Sequence, residues 1–523
     1  MTIAEMLAKN ARRYPHRPAL IEIQPGKNFR KQITWQEFND RVNRLANTLM
    51  SRGVKKGDRV MHLMMNSINW LEAYFAIIKT GAWSVPLNFR FISRQIKYCV
   101  DIAGAEVMIM DAAFTERIEA IRAELPVKHY IFAGPNVPAG MEAFEDLLKD
   151  SSVQPPDVKL SGDDECALYF TSGTTGEPKA TVLCHKAMEN TAIHENYAHR
   201  ETIDDNFLLL QPLFHTGGKM HWFGSLIVGA RATILSGNER VTPRLIFDTI
   251  HKERITIIML LVPWLQDMVT ALDNGELNVQ DYDLSSWRLM HSGAQPVPPV
   301  LIHHWKGYFL NADYETHYGL TESAGPCIHL GTKNMHKLGA IGKPNLNWDY
   351  RIVDSNDNDV PQGIIGELLL KGNGVMKEYY KNPKATAQAL KGGWLHTGDM
   401  VKLDKDDFIY FADRKKDVVI TGGENIYPVD LETVLMAHPK AKDAAIFGIP
   451  DARLGEVVAA VVEPKVGMEI TEKEMREYFE PLLPKYAWPR IVIFDKVPRN
   501  PTGKIEKTKI RDKYANLKWQ PKG

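Results

Sequence analysis

Residues 166–179 read CALYFTSGTTGEPK, and the fold is read outward from them. The apolar run Cys166–Phe170 has the length and texture of a buried strand, and the hydroxyl- and glycine-rich stretch behind it is a loop. Thr171, Ser172, Thr174 and Thr175 offer hydroxyls, Gly173 and Gly176 let backbone N–H groups come close, and Lys179 adds a positive charge. That combination solvates a polyphosphate. It is not a Walker A loop, because Pro178 precedes the lysine and Ala180 follows it. A plain surface turn is the bland reading of the same composition.

Upstream, helix and strand patterns alternate. Thr34 and Glu37 form a capping box opening a helix with Phe38, Val42, Leu45 and Leu49 on one face. Arg59–Met65 reads as a buried strand, Ile68–Lys79 as a second helix and Gly81 as its stop. Repeated units of this kind predict parallel sheets covered by helices. Ile255–Leu265 reads as a buried strand, far short of the ~20 residues a bilayer span needs. The N-terminal residues read as an amphipathic helix and not as a signal peptide.

The chain of 523 residues carries 64 basic and 64 acidic side chains, which speaks against bulk nucleic-acid binding. Its 44% hydrophobic and 24% charged composition excludes disordered and collagen-like classes. Cys99, Cys166, Cys184 and Cys327 lie far apart, with no C-x-x-C pair, which suits a reducing compartment and argues against a structural zinc site. A cytoplasmic location is the expectation.

The last hundred residues differ. Short strands around Ala444–Phe447 and Val457–Val462, a helix over Thr471–Phe479 and a proline-punctuated basic tail predict a smaller α+β unit. Between Lys485 and Lys522 only Asp495, Glu506 and Asp512 oppose the basic residues, consistent either with an anionic ligand or with a solvated face.

Further segments carry a resemblance. PLFHTGG (Pro212–Gly218), SGAQPV (Ser292–Val297), YGLTES (Tyr318–Ser323), WLHTGD (Trp394–Asp399), DRKKDVVITGGENIYP (Asp413–Pro428) and PRNPTGKI (Pro498–Ile505) follow the loop in order. In motif and spacing over nearly its whole length, the chain resembles the adenylate-forming superfamily of acyl-CoA synthetases, peptide-synthetase adenylation domains and luciferases. It is most similar to bacterial fatty-acid and aryl acyl-CoA ligases. The resemblance implies an α/β fold: a large N-terminal part of stacked sheets with helices plus a β-barrel-like part, and a small mobile C-terminal α+β domain. The implied boundaries are 1–413, a hinge at 414–416 and 417–523.

The implied reaction joins a carboxylic acid to AMP with release of pyrophosphate, then transfers the acyl group to CoA. The cofactors and co-substrates are ATP, Mg²⁺ and CoA. Thr171, Ser172, Gly173, Thr174, Thr175 and Lys179 would hold the phosphates. Gly293, Ala294, Tyr318 and Gly319 would frame the adenine, while Asp399 would take the ribose with help from Arg414. Thr321 would meet the α-phosphate, and Glu322, a hard oxygen donor, would hold Mg²⁺. Lys504 would bridge the carboxylate and the α-phosphate, and His215 would position the acid. Gly422, Gly423 and Glu424 would line the CoA path after rotation about Lys416. Without the resemblance, Tyr318 and Asp399 read as a core aromatic and a turn residue, Lys504 as one surface lysine among several, and His215 as a packed loop histidine.

The acyl pocket is expected at His221, Trp222, Trp264 and His291, with Ser225 nearby. A fatty acid is the first expectation for the substrate, and an aryl or alicyclic acid the alternative. A free-standing adenylating enzyme and a luciferase-like oxygenase remain as rivals. The absence of a carrier domain after Gly523 lowers the expectation of a peptide-synthetase module. A homodimer and a lysine acetyltransferase acting on Lys504 complete the partners considered; nucleic acid and a transmembrane segment are not expected.

Overall fold

The computed structural model describes residues 1–171, 178–237, 240–422, 424–451, 453–500 and 503–519. Two large sheets organise the first four hundred residues. The eight-stranded sheet runs, edge to edge, Glu378–Tyr379, Lys179–Cys184, Glu165–Thr171, Trp83–Pro86, Arg59–Leu63, Val107–Asp111, His129–Ala133 and Glu142–Ala143. The nine-stranded sheet runs Lys343–Pro344, Gly325–His329, Asp313–Leu320, Leu289–Ser292, Ile257–Met259, Asn206–Leu209, Arg231–Leu235, Pro18–Gln24 and Phe29–Thr34.

Strand alternation sorts side chains between layers. Val60 and Leu20 join one central core, whereas Met61 and Ile21, one residue on, face two separate outer cores. The central core also contains Trp35, Phe38, Trp70, Phe75 and Met188 from three helices, which therefore lie between the sheets. Helix Ile68–Lys79 is buried all round, as a helix between two sheets must be. Helix Trp35–Ser51 starts at the Thr34–Glu37 capping box and buries Phe38, Val42, Leu45 and Leu49. The strand read as Arg59–Met65 ends at Leu63.

Ile255–Leu265 departs from its single-strand reading. Only Ile257–Met259 is extended; helix Val262–Asp273 begins within the run. Pro263 has no N–H to leave unpaired in the first turn and is preset for helix, so an apolar run becomes strand, corner and helix. The expected barrel-like part is an open sheet among the described residues: Trp348–Val353, Gly366–Gly372, Leu395–Leu403 and Ile409–Arg414, all antiparallel. It does not close: its end strands Trp348–Val353 and Ile409–Arg414 do not pair with each other, Ile409 instead bridges Gly342, and Ile409–Arg414 lies against helix Pro428–Met436.

After Val419 a five-stranded sheet takes over. It is centred on a hairpin of Ala441–Asp451 and Gly455–Pro464, longer than the short strands read from sequence. Ala444 and Ile446 face one core, Ala445 and Phe447 the other. Helix Glu472–Phe479, capped by Thr471, covers the first of these. Among the described residues no helix is long and apolar enough to cross a membrane.

Candidate active site

The site begins where two parallel strands of the nine-stranded sheet end. Leu289–Ser292 pairs with Asp313–Leu320, Ser292 opposite Thr316, so Gly293–Ala294 and Tyr318–Gly319 emerge together. Both glycines are needed. A Cβ on Gly293 would stand 2.6 Å from His317 Nε2, and one on Gly319 would stand 2.0 Å from the Gly325 carbonyl oxygen. Ala294 holds the left-handed conformation at φ 67°, turning the chain away from the sheet.

The antiparallel sheet supplies the other wall. Asp399 lies opposite Arg414 in the ladder and is buried. The Tyr318 hydroxyl donates to Asp399 Oδ2 at 2.6 Å, and Arg414 Nε stands 3.4 Å from Oδ1. Burial raises the Asp399 carboxyl; Arg414, the Tyr318 hydrogen bond and Lys504 pull it back. A pair of fixed carboxylate oxygens beside an aromatic ring can take two hydroxyls.

Thr171 faces Lys179 across strands Glu165–Thr171 and Lys179–Cys184, so the glycine- and threonine-rich loop connects two antiparallel strands. Ser172, Gly173, Thr174 and Thr175 lie outside the described residues, as does Gly423. Lys179 Nζ sits 4.8 Å over the ring of Tyr379, whose hydroxyl donates to Glu322 Oε1 at 2.7 Å. Burial, then Glu322, pushes the Tyr379 hydroxyl far above its ordinary range. Glu322 follows Thr321 in a short turn closing strand Asp313–Leu320. One side chain thus links the loop lysine to the candidate metal ligand.

Lys504 arrives from the C-terminal region on a hairpin closed by the Arg499–Ile505 bridge and by Asn500, whose N–H donates to the Lys504 carbonyl at 2.9 Å. Lys504 is half-buried in the cleft. Desolvation lowers its pKa to about 8; Arg414 adds to this, while Asp399 and Glu322 oppose it. Its charge in turn helps depress His215, which burial already drives down to about 3. His215 is therefore a neutral imidazole, its Nδ1 accepting from Gly217 N–H at 3.1 Å. Lys504, His215, Asp399, Arg414 and Glu322 form one electrostatic neighbourhood.

The AMP-binding enzyme family matches residues 7–380, and the AMP-binding enzyme C-terminal domain matches 430–504. The chain belongs to the AMP-binding enzyme family. It is 33% identical over 511 residues to a feruloyl-CoA synthase from Amycolatopsis sp, covering 97% of this chain and 98% of that one. It is 32% identical over 524 residues to the long-chain-fatty-acid–CoA ligase FadD13 of Mycobacterium tuberculosis, covering 98% of each. The solved anthranilate CoA ligase AuaEII, in complex with anthranoyl-AMP, superposes with a TM-score of 0.91 at 26% identity, over 99% of this chain and 98% of that one. With such relatives over nearly its full length, the enzyme stands among the AMP-forming CoA ligases.

The remaining candidates are distributed differently. Lys416 is exposed in the turn after Ile409–Arg414, between Lys415, which pairs with Glu367 at 2.9 Å, and Asp417, which pairs with Arg511 at 2.8 Å. Gly422 (φ 60°) and Glu424 stand exposed on a hairpin of the C-terminal sheet. Trp222 is fully buried, edge-on to Phe75 in the central core, and Trp264 is half-buried against the outer core. His221 and His291 belong to a buried group with Glu195, His199, His317 and His329.

Sequence reading missed Tyr379, Arg499 and most of that buried group. Arg499 donates to both Asp443 oxygens at 2.7 Å, to the Gly503 carbonyl at 2.5 Å and to Gln295 Oε1 across the cleft. The signal available for the buried group was its position. Glu315 and His317 alternate on an interior strand, and His291 and His329 stand in register beside them, where apolar residues are the rule.

Proposed function

We propose that the enzyme couples a compact carboxylic acid to CoA through an acyl-adenylate, using ATP and Mg²⁺ and releasing pyrophosphate and AMP. The observation that carries this is the convergence on one cleft of Tyr318–Asp399–Arg414 from the sheets and Lys504 from the C-terminal hairpin. A carboxylate is already ionised at neutral pH, so positioning and charge stabilisation suffice. Asp399 and Arg414 hold the ribose, and Tyr318 with Gly293–Ala294 and Gly319 flanks the base. Thr171, Lys179 and the loop after Thr171 take the polyphosphate, and Thr321 donates to the α-phosphate. Lys504 presents its ammonium between carboxylate and α-phosphate as charge develops there. Neutral His215 orients the acid.

Glu322 suits Mg²⁺, since one carboxylate oxygen is held by the Tyr379 hydroxyl and the donor is hard. Bound there, the ion would neutralise part of the polyphosphate charge. For the second step we propose rotation about Lys416 of a unit spanning 417–523, with 1–413 fixed, bringing Gly422, Gly423 and Glu424 to the thiol path. Acetylation of Lys504 would remove the charge the first step needs.

A short- to medium-chain fatty acid is the first reading of the acid. The packed Trp222 and the imidazole–carboxylate group around His221 and His291 support a small acyl space behind His215. An aryl or alicyclic acid is the second, supported by those flat side chains and by Trp264. Pyrophosphate release against a panel of acids, with and without CoA, tests the proposal. Acid-dependent pyrophosphate, with AMP and thioester only when CoA is present, is expected. Release of ADP, or light or oxygen consumption from the adenylate, would overturn it.

A further inference from the structure

The group behind Gly293 walls the acyl space in the reading above, yet no step of that reading uses its imidazole nitrogens. His291 and Glu315 are register partners on neighbouring parallel strands, and His317 faces His329 across the next pairing. Helix His185–His199 lays Glu195 and His199, one turn apart, against the same place. All are buried. The ring centres of His221 and His317 stand 4.1 Å apart, those of His221 and His291 4.8 Å, and those of His291 and His317 5.4 Å, with the ring planes tilted or edge-on to one another.

Hydrogen bonding within this group is incomplete. Both nitrogens of His291 and Nδ1 of His317 have no hydrogen-bond partner among the described residues. Leaving a buried polar atom unpaired costs about 1–3 kcal/mol, so orphan imidazoles on adjoining strands point to something that completes them. One nitrogen from each of His221, His291 and His317 falls within 4.8 Å of the others. A zinc ion held by such a triad would stand about 2.0–2.1 Å from each nitrogen.

The surroundings are those of a metal ligand set. His221 Nδ1 donates to Glu195 Oε2 at 2.7 Å, which fixes the ring and leaves Nε2 for an ion. His329 Nε2 lies 3.3 Å from the other oxygen of Glu195. Imidazole donors with a carboxylate behind them suit zinc and its neighbours better than magnesium or calcium, which take oxygen.

We propose that His221, His291 and His317 bind one d-block divalent cation of the zinc class, with Glu195 as the outer-shell partner of His221. The ion would brace the strand ends that carry Gly293 and Tyr318 from within. The proposal does not depend on the ligase reading, and its test needs no turnover. Tag-free full-length protein is dialysed against a weak chelator and its metal content measured, and the metal-free chain is then titrated with Co²⁺. About one metal per chain is expected, with the intense visible bands of four-coordinate nitrogen-rich cobalt. His291→Ala should abolish both, and Glu195→Gln should weaken zinc affinity by about 10–100-fold. Should His291→Ala fail to fold, the cobalt spectrum of the unaltered protein decides. A chain that purifies metal-free and neither retains Zn²⁺ against chelator nor develops those bands would overturn the proposal. The group would then be a water-filled polar network.

Discussion

The two parts of the cleft present their functional groups in contrasting ways. Tyr318, Asp399 and Arg414 sit within or at the ends of strands and are bonded to one another before any ligand arrives. Lys504 comes on a hairpin of the C-terminal region, tied to the large part by Arg499 to Gln295, with Gly503 so placed that an added Cβ would stand 3.4 Å from Leu261. In the proposed reading, what binds in both half-reactions is built on sheets, and what acts in one half-reaction is on a hairpin whose ties are few. Variants on the sheet side should therefore impair both half-reactions, and variants on the hairpin side only the first.

Lys504→Ala offers the largest effect. Adenylation should fall by about 10²–10³-fold, the scale for removing one group aimed at developing charge. Thioester formation from preformed acyl-adenylate should stay near its original rate. Equal losses in single-turnover assays of the two steps would erase the contrast. The same residue sets a pH dependence. With its pKa lowered to about 8, Lys504 loses its proton as pH rises through that value, and adenylation should decline there. Lys504→Arg, if it retains activity, should move the decline upward, since guanidinium does not titrate in this range. Stability runs in the opposite direction. Between about 8 and the ordinary 10.5 the unfolded chain binds more protons than the folded one, so this lysine's contribution to stability rises with pH across that window.

Asp399→Asn comes next. It removes the charge that faces Arg414 and the Tyr318 hydroxyl, and hydrogen bonds to charged groups are worth about 1.5–3 kcal/mol. ATP affinity should drop by roughly 10–100-fold, measured by calorimetry, and thioester formation from added acyl-adenylate should drop with it. Loss confined to adenylation would show that the carboxylate does not hold the ribose. Lys416→Pro sharpens the contrast from the junction. By stiffening the turn it should slow thioester formation by about tenfold, with adenylation less affected, if the second step needs a conformational change there. Parallel slowing would remove Lys416 as a pivot.

Much of this was legible in the sequence because local rules decide it. The Thr34–Glu37 box, the mostly apolar helix Ile68–Lys79 and the strand before the threonine-rich loop follow from capping and periodicity. Tyr318, Asp399 and Lys504 were legible only through motif resemblance, since nothing local says that residues 81 positions apart share a hydrogen bond. Tyr379 and Arg499 act through partners far along the chain, and a lone tyrosine or arginine gives no periodic signal. The buried histidines carried a signal, polar residues at interior strand positions, whose meaning depends on which strands become neighbours.

The smallest effect probes the tie between the two parts. Gln295 follows Ala294, the last residue of the proposed nucleotide wall, and accepts from the Arg499 guanidinium, which also holds the Gly503 carbonyl next to Lys504. Gln295→Ala removes this contact and leaves Arg499 bonded to Asp443, so the C-terminal region keeps its buried ion pair. Arg499→Ala would strip Asp443 of its partner and confound positioning with stability. A single hydrogen bond of this kind is worth about 0.5–1.5 kcal/mol, or about two- to tenfold in the population of the orientation that brings Lys504 to the cleft. Adenylation should slow by that factor, while ATP affinity and the thioester step stay unchanged. If Gln295→Ala weakens ATP binding instead, the residue belongs to the nucleotide wall itself, and the boundary between the two parts must be redrawn to include it.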